Sequence, residues 1–132
     1  MQKQNIYYIS AMKLDLNSLR PFIGSKDFNI SRAFYTDLGF DEVVISDNMS
    51  LFTTDRFSFY LQSYYLKEWI ENTMLFLEVK DVEKTFQDLL ESALDKKYEG
   101  VKLVPIKKEV WGSECFMLDP AGVLIHFGSF SK

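Results

Sequence analysis

The feature that most constrains what this chain can fold into is an internal repeat. Residues 23–40, "IGSKDFNISRAFYTDLGF", and residues 77–94, "LEVKDVEKTFQDLLESAL", both pass from a short apolar run through Lys-Asp into a helical pattern. The offset between Asp27 and Asp81 is 81 − 27 = 54 residues. Each Asp stands where an N-cap carboxylate accepts a backbone N–H, and apolar residues follow at helical spacing. These are Phe28, Ile30, Phe34, Tyr35 and Leu38 in one copy, and Val82, Phe86, Leu89, Leu90 and Leu94 in the other. Gly39 ends the first helix in the manner of a left-handed cap.

Extended runs follow each helix, at 42–46, 50–54 and 57–62 in the first half and at 102–110, 115–118 and 123–128 in the second. Asp55-Arg56 and Asp119-Pro120-Ala121-Gly122 carry the chemistry of tight turns. Each half therefore reads as strand, helix and three strands. A four-stranded sheet with a single helix covers one of its faces, so the two halves must bury more surface together. The expected fold is α+β, with paired βαβββ modules forming a curved mixed sheet around a cleft. The halves span about 19–63 and 72–130 within one domain, 19–132. Residues 64–71 are a linker or a short helix. Residues 1–18 form an N-terminal extension with three roles open to it: an extra strand, a swapped arm or a floppy tail.

Composition narrows the function classes. At 132 residues and 47% hydrophobic, the chain supports one real core and is too short for two ordinary ones. Fifteen Lys+Arg against 19 Asp+Glu give a net charge of −4, which argues against a nucleic-acid surface and accommodates a cationic ligand. A single cysteine, Cys115, excludes an intramolecular disulfide and a cysteine-based zinc site. It fits a reducing compartment, so the cytoplasm is the expected location. No run has the length of a signal core or a membrane span, so no membrane partner is expected, and the two Asn-x-Ser matches at Asn29 and Asn48 read as accidental. Twelve Phe, seven Tyr and two Trp supply a core and leave rings to line a cleft.

The motifs then carry a resemblance. "FYTDLGF" at residues 34–40, "ENTMLFLEVKDVE" at 71–83, and Trp111-Gly112-Ser113-Glu114, Asp119-Pro120-Ala121-Gly122 and His126-Phe127 with their spacing resemble the glyoxalase/bleomycin resistance/dioxygenase superfamily. Within it, the chain looks most like the bleomycin resistance proteins. The likeness covers about 19–128. It implies a homodimer of paired modules and, for the metalloenzymes of the group, a divalent ion held by His and Glu side chains. Those ligand positions fall here on Arg20, on Tyr60 or Gln62, on Met74 and on His126. A guanidinium and a thioether do not make a site for such an ion, so neither metal nor other cofactor is expected.

The resemblance places Trp111 as a ring that stacks on a ligand, and puts His126, Tyr60, Gln62, Met74, Glu114 and Met49 around the same cleft. On residue chemistry alone, a lone histidine in an apolar strand is as readily a packed imidazole, and Glu114 and Glu78 are as readily carboxylates of a solvated sheet edge. Phe52, Phe59, Phe76 and Phe116 are core by default, Cys115 is a small buried hydrophobe, and Trp69 is a dimer contact or lid. The expected function is metal-free, noncatalytic sequestration of a flat or cationic compound, an antibiotic among them, in an aromatic cleft of a dimer. The alternative is a metal-dependent lyase, isomerase or dioxygenase using Gln62, Glu78, Glu114 and His126. A ligandless interaction or scaffold protein is the third reading.

Overall fold

A computed structural model describes residues 11–132. The first ten residues of the expected extension lie outside the described residues, and 11–18 run exposed without helix or strand. The first module consists of β1 (Phe22–Ile23), α1 (Phe28–Leu38), β2 (Asp41–Ser46), β3 (Met49–Thr54) and β4 (Phe57–Gln62). Asp27 caps α1 by accepting the N–H of Ile30 at 3.2 Å. Gly39 closes the helix at φ 121°, a conformation open to glycine.

The midsection of the chain holds a short helix, α2 (Lys67–Glu71), which settles the linker question. The second module follows as β5 (Met74–Glu78), α3 (Val82–Ser92), α4 (Leu94–Lys97), β6 (Lys102–Lys108), β7 (Gly112–Leu118) and β8 (Leu124–Phe130). Asp81 caps α3 by accepting the N–H groups of Glu83 and Lys84, each at 3.1 Å. Three strand bounds of the second module differ from the sequence reading by two residues or more. β6 stops at Lys108 because Glu109 and Gly112 bond each other's backbone across a turn, β7 begins at Gly112 rather than Cys115, and β8 runs on to Phe130.

The strands form two four-stranded mixed sheets, ordered β1-β4-β3-β2 and β5-β8-β7-β6. In each, the opening strand runs parallel to the last strand of its module and the other pairs are antiparallel. Phe22 sits opposite Tyr60, and Phe76 opposite His126, so the sequence offset returns in the register as 76 − 22 = 54.

Strand alternation turns one face of each sheet toward the helices, and both faces feed a single core. Phe52, Phe59 and Leu61 from the first sheet join Cys115, Met117 and Ile125 from the second, with Phe34 and Tyr35 of α1 between them. Burying an aliphatic or aromatic side chain of this kind contributes about 1.5–3 kcal/mol. One buried polar cluster ties the modules together. The Tyr35 hydroxyl donates to Asp119 Oδ2 at 2.7 Å, while Oδ1 accepts the N–H groups of Ala121, Gly122 and Val123 at 2.8, 2.9 and 2.9 Å. Burial and the neighbouring carboxyl push the Tyr35 phenol well above its ordinary range, keeping it a neutral donor. Cys115 is buried, and burial raises its thiol to about 11, which suits the small hydrophobe expected of it.

Candidate functional site

The same alternation leaves the other face of each sheet uncovered within the single chain. On the second module this face carries Met74, Phe76 and Glu78 of β5, Glu114 and Phe116 of β7, and His126, Gly128 and Phe130 of β8. Phe76 and Phe130 are 46% and 54% exposed. Trp111, just ahead of β7, folds onto the same shelf with its ring centroid 5.8 Å from Phe76 and 5.2 Å from Phe130. The shelf exists because residue 128 is glycine. A Cβ there would stand 2.7 Å from the Phe76 ring and 3.2 Å from Trp111.

Beside the shelf lies a polar pair. His126 Nδ1 is 2.8 Å from Glu114 Oε1, and its Nε2 is 3.4 Å from Met74 Sδ. The rings of Phe116 and Phe76 flank the imidazole at 4.9 and 6.1 Å. Glu114 is only 7% exposed, so its carboxyl depends on the imidazole for a partner. A carboxylate only accepts, which makes Nδ1 the donor, and Nε2 on the other side of the ring lies against the Met74 sulfur.

The open face of the first module is built differently. Met49 sits directly opposite Gln62, and Leu51 opposite Tyr60. Phe22 stacks on Tyr60 at 5.0 Å and 22° between planes. Arg20 donates to the Tyr60 hydroxyl at 3.0 Å and to Ser58 Oγ at 2.9 Å.

The structure thus gathers the expected site residues into two sets. Trp111, His126, Met74 and Glu114 meet on the second sheet, while Tyr60, Gln62 and Met49 share the first. Two expectations are corrected. Phe76 and Phe116, taken as core, lie on the face of His126, because their registers put all three side by side while Leu75, Cys115 and Ile125 turn inward. Glu114, weighed as a solvated edge carboxylate, is buried and paired. The signal for both phenylalanines was present in the two-residue period, which places Phe76 with Met74 and Phe116 with Glu114. Phe22 and Phe130 were missed as site residues for the same reason. Phe52 and Phe59 are in the core as expected, and Trp69 is 64% exposed with Tyr64 beside it.

The donor set does not suit the divalent ion that metalloenzymes of the resembling group hold. Arg20 donates and carries positive charge, Met74 offers a thioether, and His126 and Glu114 stand as a pair without a third ligand. Among the described residues, no group of three or more His, Cys, Asp or Glu could hold a metal ion. A cavity of about 620 Å³ at the seam between the modules adjoins the shelf through Phe76 and Glu78 and is lined besides by Phe40, Phe57, Phe59 and Leu77 among others. None of the seven expected site residues lines it.

No family profile matches the chain, and no curated protein matches it in sequence. Solved structures match it over most of its length. A bleomycin-binding protein from bleomycin-producing Streptomyces verticillus, complexed with copper(II)-bleomycin, superposes with a TM-score of 0.75 at 19% identity, covering 90% of this chain and 100% of that one. A glyoxalase/bleomycin resistance protein/dioxygenase from Nocardioides does so with a TM-score of 0.72 at 13% identity, over 98% of this chain and 94% of that one. The chain has the glyoxalase/bleomycin resistance fold. An antibiotic-binding protein from a Streptomyces species shares that fold with a TM-score of 0.69 at 19% identity, over 90% of this chain and 100% of that one. Within the glyoxalase/bleomycin resistance fold, this chain presents an aromatic shelf with a His-Glu pair on one module and an Arg-Tyr pair on the other. No helix among the described residues is long and apolar enough to cross a membrane.

Proposed function

We propose that this protein binds and sequesters a flat, apolar or cationic small molecule, without metal and without chemistry, in a cleft completed by a second copy of the chain. The observation that carries this reading is the exposed shelf of Phe76, Trp111 and Phe130 over Gly128, bordered by His126 and Glu114. Each stacked ring contributes on the order of 0.5–1.5 kcal/mol beyond burial, so three rings in one patch form a platform for a planar partner. The pair beside it supplies an oriented nitrogen for one polar group of the ligand. Both open faces keep large apolar side chains in solvent within a single chain, Phe22 at 56% and Met74 at 62% exposed among them. Apposing the first module of one copy to the second module of another covers both and encloses the shelf. Structural neighbours that bind bleomycin or another antibiotic support an antibiotic as the ligand, and the reading places the protein in the cytoplasm.

Metal-free bleomycin and a panel of planar cationic antibiotics, titrated into a Trp69→Phe background, test this through quenching of Trp111. Saturable binding at one molecule per subunit, recovery of the compound unchanged, and loss of binding in Trp111→Ala are expected. Sedimentation equilibrium should give a dimer. Turnover that a chelator abolishes, or quenching that persists unchanged when Phe76 is replaced by Ala, would overturn the proposal.

A further inference from the structure

The repeat offset carries one polar contact of the first module onto a different one in the second. Adding it to Arg20 gives Met74 (20 + 54), and the register that pairs Phe22 with Tyr60 pairs Phe76 with His126. In the first module the guanidinium of Arg20 donates to the Tyr60 hydroxyl at 3.0 Å. At the equivalent place in the second, the Met74 sulfur lies 3.4 Å from Nε2 of His126. A thioether stands where the first module has its own cation.

That exchange changes what the pair can hold. Nδ1 of His126 donates to Glu114 Oε1 at 2.8 Å, so a ring with a single proton turns the lone pair of Nε2 against those of the sulfur. A second proton on Nε2, or a cation held by both atoms, relieves the opposition. A thioether is a weak acceptor for a proton and a good donor to a soft metal ion. A carboxylate behind a ligating imidazole fixes its tautomer and raises its basicity, and Glu114, at 7% exposure, is held in that position. The spacing fits as well. With bonds of the lengths found at zinc, about 2.0 Å to nitrogen and 2.3 Å to sulfur, a gap of 3.4 Å sets the two donors at about 105° around an ion. Met74 is 62% exposed, which leaves the approach open.

We propose that Nε2 of His126 and Sδ of Met74 form a site for a soft monovalent metal ion of the copper(I) class, with Glu114 as the positioning carboxylate. It differs from the divalent site of the resembling metalloenzymes in both ion and donors, because it takes two side chains of one module and no carboxylate ligand. Ligand capture on the shelf stays metal-free, since Nε2 serves either the ion or the polar group of a ligand.

Silver(I), a soft monovalent probe that needs no reductant, tests the site in the full chain in chloride-free buffer. His126 is the only histidine, so its imidazole nitrogens give a single pair of signals in protein enriched with nitrogen-15. The Nε2 signal should move together with the methyl carbon signal of Met74 and saturate at one ion per chain. Silver taken up by the buried Cys115 thiol does not enter a readout made at these atoms. Met74→Leu keeps the bulk and removes the sulfur, and Glu114→Gln removes the charge behind the ring; each should weaken silver binding on the order of tenfold or more. Zinc(II) at the same concentration should leave both signals in place. An Nε2 signal that silver does not move would overturn the proposal and assign the contact to a proton between nitrogen and sulfur. Unchanged silver affinity in Met74→Leu, or zinc binding as tight as silver binding, would overturn it as well. No organic ligand takes part, so a failure here leaves the sequestration reading to its own titrations.

Discussion

The two modules share a backbone plan and differ in what they leave on its surface. At matching register positions the first has Phe22 and Tyr60, the second Phe76 and His126. In the first, the polar group of the central strand is tied to an exposed Arg20, a guanidinium that water can solvate if the contact is lost. In the second, it is tied to Glu114, a carboxyl nearly excluded from solvent. One backbone plan thus yields a tolerant face and an intolerant one, and the difference lies in whether a side chain has an alternative to its protein partner. The same contrast holds at the turns. Asp119 is fully buried with four donors around it, while its counterpart at Asp55 is exposed at φ 52°.

The turns offer the largest effect by which to break the comparison. Asp119→Ala leaves three backbone N–H groups and the Tyr35 hydroxyl facing a methyl group, with a destabilisation of about 3 kcal/mol or more expected from urea unfolding. Asp55→Gly, which relieves a left-handed conformation in solvent, should change stability by less than about 0.5 kcal/mol. Equal effects would remove the distinction between the turns.

The polar pairs come next. His126→Ala strands the Glu114 carboxyl in a nearly dry position at a cost of about 1–3 kcal/mol, and adding Glu114→Leu should recover much of it. Tyr60→Ala frees Arg20 into water and should cost only the stacking with Phe22, about 0.5–1.5 kcal/mol. Thermal unfolding of the single and double variants measures both, and a His126 variant no less stable than the Tyr60 variant would contradict the burial argument.

A third contrast separates binding from folding. Gly128→Ala drives a methyl group into the Phe76 ring and should weaken ligand binding at least about tenfold, roughly 1.4 kcal/mol, by tilting the shelf. Gly39→Ala meets nothing within 4 Å and carries only the strain of φ 121°. Its expected cost is about 1 kcal/mol in stability with binding unchanged. Titration of both variants with the same ligand decides between them.

Much of this was legible from the residues because the relevant physics is local. Asp27 and Asp81 cap helices through bonds to N–H groups two or three residues away, and Asp119-Pro120-Ala121-Gly122 closes a turn on itself, so spacing alone exposed both. The repeat offset of 54 reappeared in strand register for the same reason. What stayed hidden depends on which face of a strand meets the core. Phe76 and Phe116 are apolar enough for either face, and hydrophobicity assigned them inward; only parity with Met74 and Glu114 turns them out. The Glu114 pairing with His126 crosses two strands, and Tyr35 with Asp119 joins residues 84 apart, so neither partner could be named before the chain was folded.

Asp37 gives the smallest effect, and it tests whether the seam between modules is held by buried or by exposed bonds. Its carboxyl accepts from Lys97 Nζ and from the Tyr98 hydroxyl, each at 2.5 Å, joining α1 to the end of α4. The bond from Lys97, then that from Tyr98, holds the Asp37 carboxyl below its ordinary range. The folded state therefore keeps this group ionised at pH values where the unfolded chain takes up a proton. Its contribution is complete above the usual aspartate value of about 4 and disappears as pH falls through the lowered folded value. Since Lys97 is exposed, solvent screens the pair and its contribution is small. Asp37→Asn should lower the thermal midpoint slightly at neutral pH, with the gap to wild type closing on acidification. A gap that stays constant into strong acid would mean that the difference does not arise from ionisation of Asp37. The seam would then rest on the buried Tyr35–Asp119 bond and on the core that both modules share.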